Sequence, residues 1–482
     1  MSLLRLSEAT LALAPAAAQR PAYDRSAVSV GVVHFGPGAF HRAHQAAYLD
    51  SVLRDDPRWG ICAVSLNSSA VSEALDPQDG LYVLSLMGQP PGLRVIGSLI
   101  ERKTRADAAG IAARLAASST RLVTATVTEK GYCLTPEGGL DTEHPGVRAD
   151  LQDGAPPRTL VGWLVHGLGL RRAAGAGGLT VLSCDNLSAN GRRLARAVSD
   201  FAAIADPSLG AWIQDHVRFP SCMVDAITPA TDDALRNRVR ERLGLEDAWP
   251  IQRERFSQWV IEDDFAGERP PLEGAGVQFA SSVAGHEEVK LRLLNGAHSS
   301  LAYIGLLLGV ETVADAMATP ELARFVEVMM RRDIIPSLHP TPGLDAERYV
   351  QDILGRFREP TIRHLLSQIA WDGSQKLPFR LLGTIVDARA AGRPVERLAI
   401  PIAAWMRFLG LPRPPMPPLV DPLAERLLPL ARRDGVDAIL NGSGVFPLPQ
   451  ARDEVFRAAV RAAWRRMGDA GHLRELLTEA AG

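Results

Sequence analysis

The chain has 482 residues, 46% apolar and 22% charged, with a formal net charge of −2. That length implies two or three domains with full cores, and that balance suits an ordinary globular protein better than a binder of nucleic acid or anionic membrane. Four cysteines, Cys62, Cys133, Cys184 and Cys222, are far apart with no C-x-x-C pair, which argues against a zinc knuckle or disulfide framework and for the reducing cytosol.

Near the start, Arg5 and the apolar run 11–18 are a poor signal peptide, because Glu8 offsets the charge and Pro15 breaks the run. Residues 28–35, V-S-V-G-V-V-H-F, are β-branched and apolar and predict a buried strand, followed at once by Gly36, Pro37 and Gly38. A helix is expected over 40–53, and further strands over 61–66, 81–86, 122–127 and 179–184 with helical stretches between several of them. The alternation predicts an α/β fold, a Rossmann-like doubly wound parallel sheet spanning a first domain at 1–285. Beyond it the pattern turns helical, at 289–308, 320–332, 346–357, 360–369, 401–409 and 452–468. A mainly helical second domain is therefore expected at 286–482, with the Pro-rich segment 412–422 as an extended connection inside it. The apolar run 301–310 is too short for the roughly 20 residues that span a bilayer.

Gly36-Pro37-Gly38-Ala39-Phe40-His41-Arg42 lies between the first strand and first helix, where a dinucleotide fold turns tightly against a pyrophosphate. The third glycine of G-x-G-x-x-G is replaced by His41. Gly36, Gly38, Phe40 and Arg42 are the candidate cofactor residues there, with Asn67 at the end of the second strand. Neither an acid nor an arginine stands at Asn67-Ser68-Ser69, so NAD is expected on the absence of an arginine for a 2'-phosphate, with NADP left open.

Only four of the 53 basic residues are lysines: Lys103, Lys130, Lys290 and Lys376. A lysine kept where arginine serves elsewhere invites an acid/base reading, because ammonium releases its proton when desolvated and guanidinium does not. Around Lys290 the sequence reads K-L-R-L-L-N-G-A-H. On an α-helix Glu287, Lys290 and His298 share one face and Asn295 falls toward its edge. Asp185-Asn186 follows the strand at 179–184, at the edge where parallel sheets bind ligands, although either residue could equally cap a helix.

The chain resembles the mannitol dehydrogenase family through H-F-G-P-G-A-F-H-R-A-H-Q (34–45), T-V-T-E-K-G-Y (126–132), S-C-D-N (183–186) and F-P-S-C-M-V-D-A-I-T-P (219–229). Q-W-V-I-E-D-D-F (258–265), K-L-R-L-L-N-G-A-H (290–298) and D-G-S-Q-K-L-P (372–378) continue it in order. The resemblance implies a metal-independent, monomeric, NAD-dependent dehydrogenase interconverting a sugar alcohol and its 2-ketose, mannitol and fructose first, arabinitol or sorbitol next. It implies Lys290 as general acid/base, Asn186 and Asn295 holding the reacting oxygen and His298 orienting the substrate. Asp225 and Lys376 would meet polyol hydroxyls, and Glu287 would line a proton path. Gln368 departs from the arginine expected there.

The alternatives are a hexuronate reductase acting on fructuronate and mannonate, whose carboxylate would need a cation such as Arg363 or Arg380, and a non-catalytic nucleotide-binding sensor. A short-chain dehydrogenase is disfavoured because none of the six tyrosines has a lysine four residues later. Gly285-His286-Glu287 lacks the cysteine cluster of a zinc alcohol dehydrogenase.

Overall fold

A computed structural model describes residues 4–88, 90–152, 155–413, 416–433 and 435–482. The chain divides into two compact units, Met1–Ala284 and Gly285–Gly482.

The first unit is built on six parallel strands: β1 (Val30–Phe35), β2 (Gly60–Ser65), β3 (Leu99–Thr104), β4 (Leu122–Ala125), β5 (Leu179–Ser183) and β6 (Val217–Arg218). Their order is β3-β2-β1-β4-β5-β6, the doubly wound arrangement expected from the sequence. Every residue of β1, β2, β4 and β5 is buried, as parallel strands covered on both faces require. Along β1 and β4 the side chains part into two cores. Val33, Phe35, Val123 and Ala125 pack with Trp163 and Phe201, whereas Val32 and Leu122 pack with Leu49 and Trp59.

Two expectations are corrected here. The predicted strand at 81–86 exists as Tyr82–Leu86 but lies in a separate four-stranded sheet, antiparallel to Gly92–Ile96. The connection between them is too short for a parallel crossover, so it makes a hairpin instead. The main sheet's place is taken by β3, whose Glu101, Arg102 and Lys103 hide it from a search for apolar runs; it is an edge strand, where charge is tolerated. The predicted first helix is two helices, Ala39–Ala43 and Gln45–Val52, broken at His44 (φ −117, ψ −88). A three-stranded sheet of Cys222–Asp225, Gln258–Glu262 and Gln278–Ala280 was not anticipated.

The second unit holds no strand among its described residues, only an isolated bridge between Thr312 and Leu365. Its central helix runs through three segments: Ala284–Val289, a π-helical Lys290–Asn295, and Gly296–Leu307, whose residues are almost all buried. Pro320–Met329 continues into a second π segment, Met330–Ile334, and Ala346–Phe357 matches its expected bounds. The predicted helix at 360–369 shrinks to Leu366–Ile369, while that at 401–409 grows to Glu396–Gly410 with Pro401 inside. Gly373–Leu377, the π segment Pro378–Leu382 and Gly383–Ala390 follow one another without a break. In the Pro-rich stretch, Pro414 and Pro415 lie outside the described residues and the remainder is not helical. No helix is long and apolar enough to cross a membrane among the described residues.

Candidate active site

At the carboxyl ends of β1, β2 and β4 the first unit opens a cleft of about 520 Å³, lined by Gly36, Asn67, Ser68, Thr126, Lys130 and Arg158 among others. Its floor is the glycine turn. Gly36 has φ +86, and a Cβ there would lie 2.2 Å from the Thr126 carbonyl oxygen, so only glycine fits. Gly38 is different: its φ is −69, and a Cβ would meet only the Gly36 oxygen, at 4.0 Å. Its missing side chain serves no need of the chain itself and leaves open room against the backbone.

The Gly36 carbonyl accepts from Thr126 Oγ1 at 2.7 Å and from His34 Nε2 at 3.2 Å. A carbonyl only accepts, so Nε2 carries the proton and Nδ1 accepts from Thr124 Oγ1 at 2.7 Å. Burial pushes His34 down to about 3, partly opposed by its bond to Gly36, and the ring stays neutral. His41, in the third-glycine position, stacks on it.

Asp185 ties the loop after β4 to the loop after β5. Its carboxylate accepts from the backbone N–H of Val127 (2.9 Å) and Thr128 (3.1 Å) and from Tyr132 Oη (2.6 Å), while burial raises its pKa. Asn186, next in sequence, is exposed at that edge. Asn190 fixes the same loop to the Cys222–Asp225 strand, accepting from Cys222 N at 3.0 Å and donating to Cys222 O at 2.8 Å. Asp225, at the end of that strand, is buried.

In the second unit the decisive feature is the π turn. Gly296 N–H reaches back five residues to the Leu291 carbonyl. In an α-helix Asn295 would stand about 140° round the axis from Lys290. The wider turn inserts one residue, so Asn295 takes the place of a residue four on, about 40° away, and His298 that of one seven on, about 20° away. Lys290, Asn295 and His298 thus share one face, which corrects the expectation of Asn295 at its edge. Glu287 is one turn earlier on the same helix. Arg292 turns aside to Asp387 (2.6 Å), Glu288 (3.0 Å) and the Ser337 carbonyl (3.0 Å).

The Pro378–Leu382 π segment packs against this turn. A Cβ on Gly296 would sit 2.9 Å from the Arg380 carbonyl oxygen, so the glycine permits the approach. Arg380 Nη1 donates to Ser299 Oγ at 3.1 Å, and burial pushes its guanidinium down to about 10, opposed by Tyr303. Lys376 Nζ is 3.4 Å from the Ile369 carbonyl, and burial, then Arg380, lower its pKa. His298 is buried against Phe357 (4.5 Å between ring centroids) and His364 (5.2 Å). Burial, then His364, Arg356 and Arg380, hold its imidazole well below its usual pKa, and Nε2 has no hydrogen-bond partner among the described residues. Gly373 is dictated by packing, since a Cβ would fall 2.4 Å from Tyr303 Oη and 2.7 Å from Trp405 Nε1.

Residues 30–274 match the mannitol dehydrogenase Rossmann domain and residues 282–467 the mannitol dehydrogenase C-terminal domain. The chain belongs to the mannitol dehydrogenase family. It is 40% identical over 468 residues to the D-mannonate oxidoreductase of Escherichia coli (strain K12), covering 94% of this chain and 96% of that one. It is 39% identical over 419 residues to a mannitol 2-dehydrogenase of Phaeosphaeria nodorum, covering 84% and 74%. A solved Pseudomonas fluorescens mannitol 2-dehydrogenase, a ternary complex with NAD and D-mannitol, superposes with a TM-score of 0.84 at 35% identity, covering 99% of this chain and 100% of that one. The protein is thus an oxidoreductase of the mannitol dehydrogenase family, and a nucleotide cofactor accords with the cleft and with the open room at Gly38.

Of the residues the sequence singled out, Lys290, Asn295, His298 and Glu287 stand on one helix, and Lys376 is on Gly373–Leu377, which runs into the segment Pro378–Leu382 packed beside it. Gly36 and Asn67 line the cleft, and Gly38, two residues on, is the N-cap of the helix that follows the turn; Phe40 does not line it, and its ring stacks on His44 at 5.0 Å. Arg42 is a correction. Its fully buried guanidinium donates to the Trp249 carbonyl at 2.9 Å and lies over the Trp249 and Tyr82 rings, so it serves the core and not a cofactor. The sequence reading missed His34, Thr126 and Asn190 as positioning groups. Their partners are far along the chain, and no local pattern marks them.

Proposed function

We propose that the protein is an NAD-dependent polyol 2-dehydrogenase that interconverts a sugar alcohol and its 2-ketose, mannitol and fructose first and arabinitol or sorbitol next, without a metal. The observation that carries the reading is the π turn that gathers Lys290, Asn295 and His298 on one helix face.

The nicotinamide ring supplies the hydride acceptor for oxidation and the donor for reduction. Neutral Lys290 takes the proton from the substrate hydroxyl, and in reduction its ammonium returns it. The oxygen gains negative charge as that proton leaves, so the Asn295 amide, with Asn186 in the same role, stabilises it. His298, neutral and with an unpartnered Nε2, orients a neighbouring hydroxyl. Lys376 and Asp225 meet the distal hydroxyls, and Glu287 relays the proton onward. Absorbance of reduced cofactor with mannitol, arabinitol, sorbitol and mannonate offered in turn tests this reading, which falls if none of the three polyols is oxidised.

One observation favours a second reading, reduction of a hexuronate. Arg363, one of two candidate carboxylate anchors, is exposed and paired with Glu311 at 2.8 Å. Arg380 is half-buried beside Lys376 and His298 and forms no ion pair among the described residues. A buried guanidinium without a carboxylate suits a carboxylate substrate. If Arg380→Gln abolishes turnover of mannonate while mannitol oxidation is little changed, the second reading stands.

A further inference from the structure

The cleft of the first unit carries a charge pattern that no stretch of the sequence displays. In the β3-β2-β1-β4-β5-β6 order, the end of β2 is where an acid grips the adenosine ribose of NAD and repels a 2'-phosphate. Asn67 and Ser68 hold that place, and no Asp or Glu lines the cleft among the described residues. Two carboxylates brace its walls from behind. Asp150 accepts from Arg158 N (2.7 Å), Thr159 N (2.9 Å) and Thr159 Oγ1 (2.7 Å), and Asp185 is taken up by Val127 N and Thr128 N.

Facing the cleft instead are Lys130 and Arg158, both exposed, with no side-chain hydrogen bond or ion pair among the described residues. Lys130 comes from the loop after β4 and Arg158 from the turn before the helix Leu160–Ala173. The ends of β2 and β4 are two strand spacings apart, about 10 Å. Lys130 stands on the β4 side of that gap, and Arg158 lines the same cleft as Ser68. Two cations around a cavity with no acid among its described lining residues call for a counter-charge, and a phosphate dianion supplies one through charge-assisted hydrogen bonds.

We propose that this cleft takes the 2'-phosphorylated dinucleotide as well as NAD, with Lys130 and Arg158 as the residues that recognise the phosphate. The proposal rests on the reading of the cleft as a dinucleotide site.

Binding of cofactor fragments to the full chain tests it without turnover. In calorimetric titrations, adenosine 2',5'-bisphosphate should bind about tenfold tighter than AMP, with the advantage shrinking as salt is raised. Replacing both cations, by Lys130→Gln and Arg158→Gln, should bring the two affinities together while AMP binding stays within about twofold of the unmodified chain. A bisphosphate that binds no tighter than AMP, or an advantage that survives the double replacement, overturns the proposal. Failure of either nucleotide to bind overturns the dinucleotide reading itself, and the proposal with it.

Discussion

The imidazoles of His34 and His41 lie face to face with centroids 3.3 Å apart and planes 8° from parallel, wholly buried beneath the first strand–helix turn. His41 occupies the third-glycine position of the dinucleotide motif, so the helix meets β1 through a ring stack where other folds use a bare backbone. Burial holds His41 far below its usual pKa, and charge on His34, Arg42 or His44 would lower it further.

This pair makes stability depend on acid. Both rings are neutral when folded and titrate near pH 6.5 when unfolded, and folded His34 does so only at about 3. Their folded pKa values are depressed, so this stability is complete above about pH 6.5 and is lost as pH falls toward 3, at about 1.4 kcal/mol per pH unit per histidine. Urea midpoints between pH 7 and 4 should decline accordingly, less steeply in His34→Gln. An equal slope in that variant would show that His34 does not titrate as described.

The two glycines of the turn should separate folding from binding. Gly36→Ala places a Cβ against the Thr126 carbonyl at positive φ, and a lowered melting temperature is expected. Gly38→Ala meets nothing closer than 4.0 Å, so the melting temperature should hold while cofactor affinity falls. Equal effects of both substitutions on affinity and stability would contradict this.

Lys290→Arg keeps the charge but cannot give up its proton at working pH. A loss in kcat of at least about a hundredfold is expected, with cofactor affinity near that of the unmodified chain. Oxidation should fall as pH drops and reduction as it rises, through one shared ionisation. Lys103→Arg is the control, since Lys103 forms only a surface pair with Asp107 at 2.6 Å. Near-normal kcat and pH profile for Lys290→Arg would exclude it as the base.

Asn295→Ala should lower kcat by about ten- to a hundredfold, with ligand-free stability little changed, because in the proposed mechanism its amide acts on charge that develops during the reaction. If kcat holds and only KM rises, Asn295 binds substrate without stabilising the reacting oxygen.

The family, the two-part organisation and the strand–turn–helix entry were legible because each is written in short, contiguous chemistry. The run Val30–Phe35 must be buried and Gly36 must turn. Side-chain identity and local backbone need survive in a linear string. So did Asp185-Asn186, because a polar pair after a buried strand marks the carboxyl edge of a parallel sheet.

Tertiary structure decided what depends on partners distant in the chain. Whether Asn295 stands on the edge or on the same face as Lys290 is a choice between i→i+4 and i→i+5 bonding, and it is made where Gly296 admits the Pro378–Leu382 backbone, some eighty residues on. Arg42 reads as a phosphate ligand in its motif until Trp249, more than two hundred residues later, accepts its hydrogen bond. Lys130 and Arg158 become one charged wall, and Arg380 rather than Arg363 the buried cation, for the same reason. Sequence records which charge a residue carries, but only the packed fold sets what that charge faces and how much water remains around it.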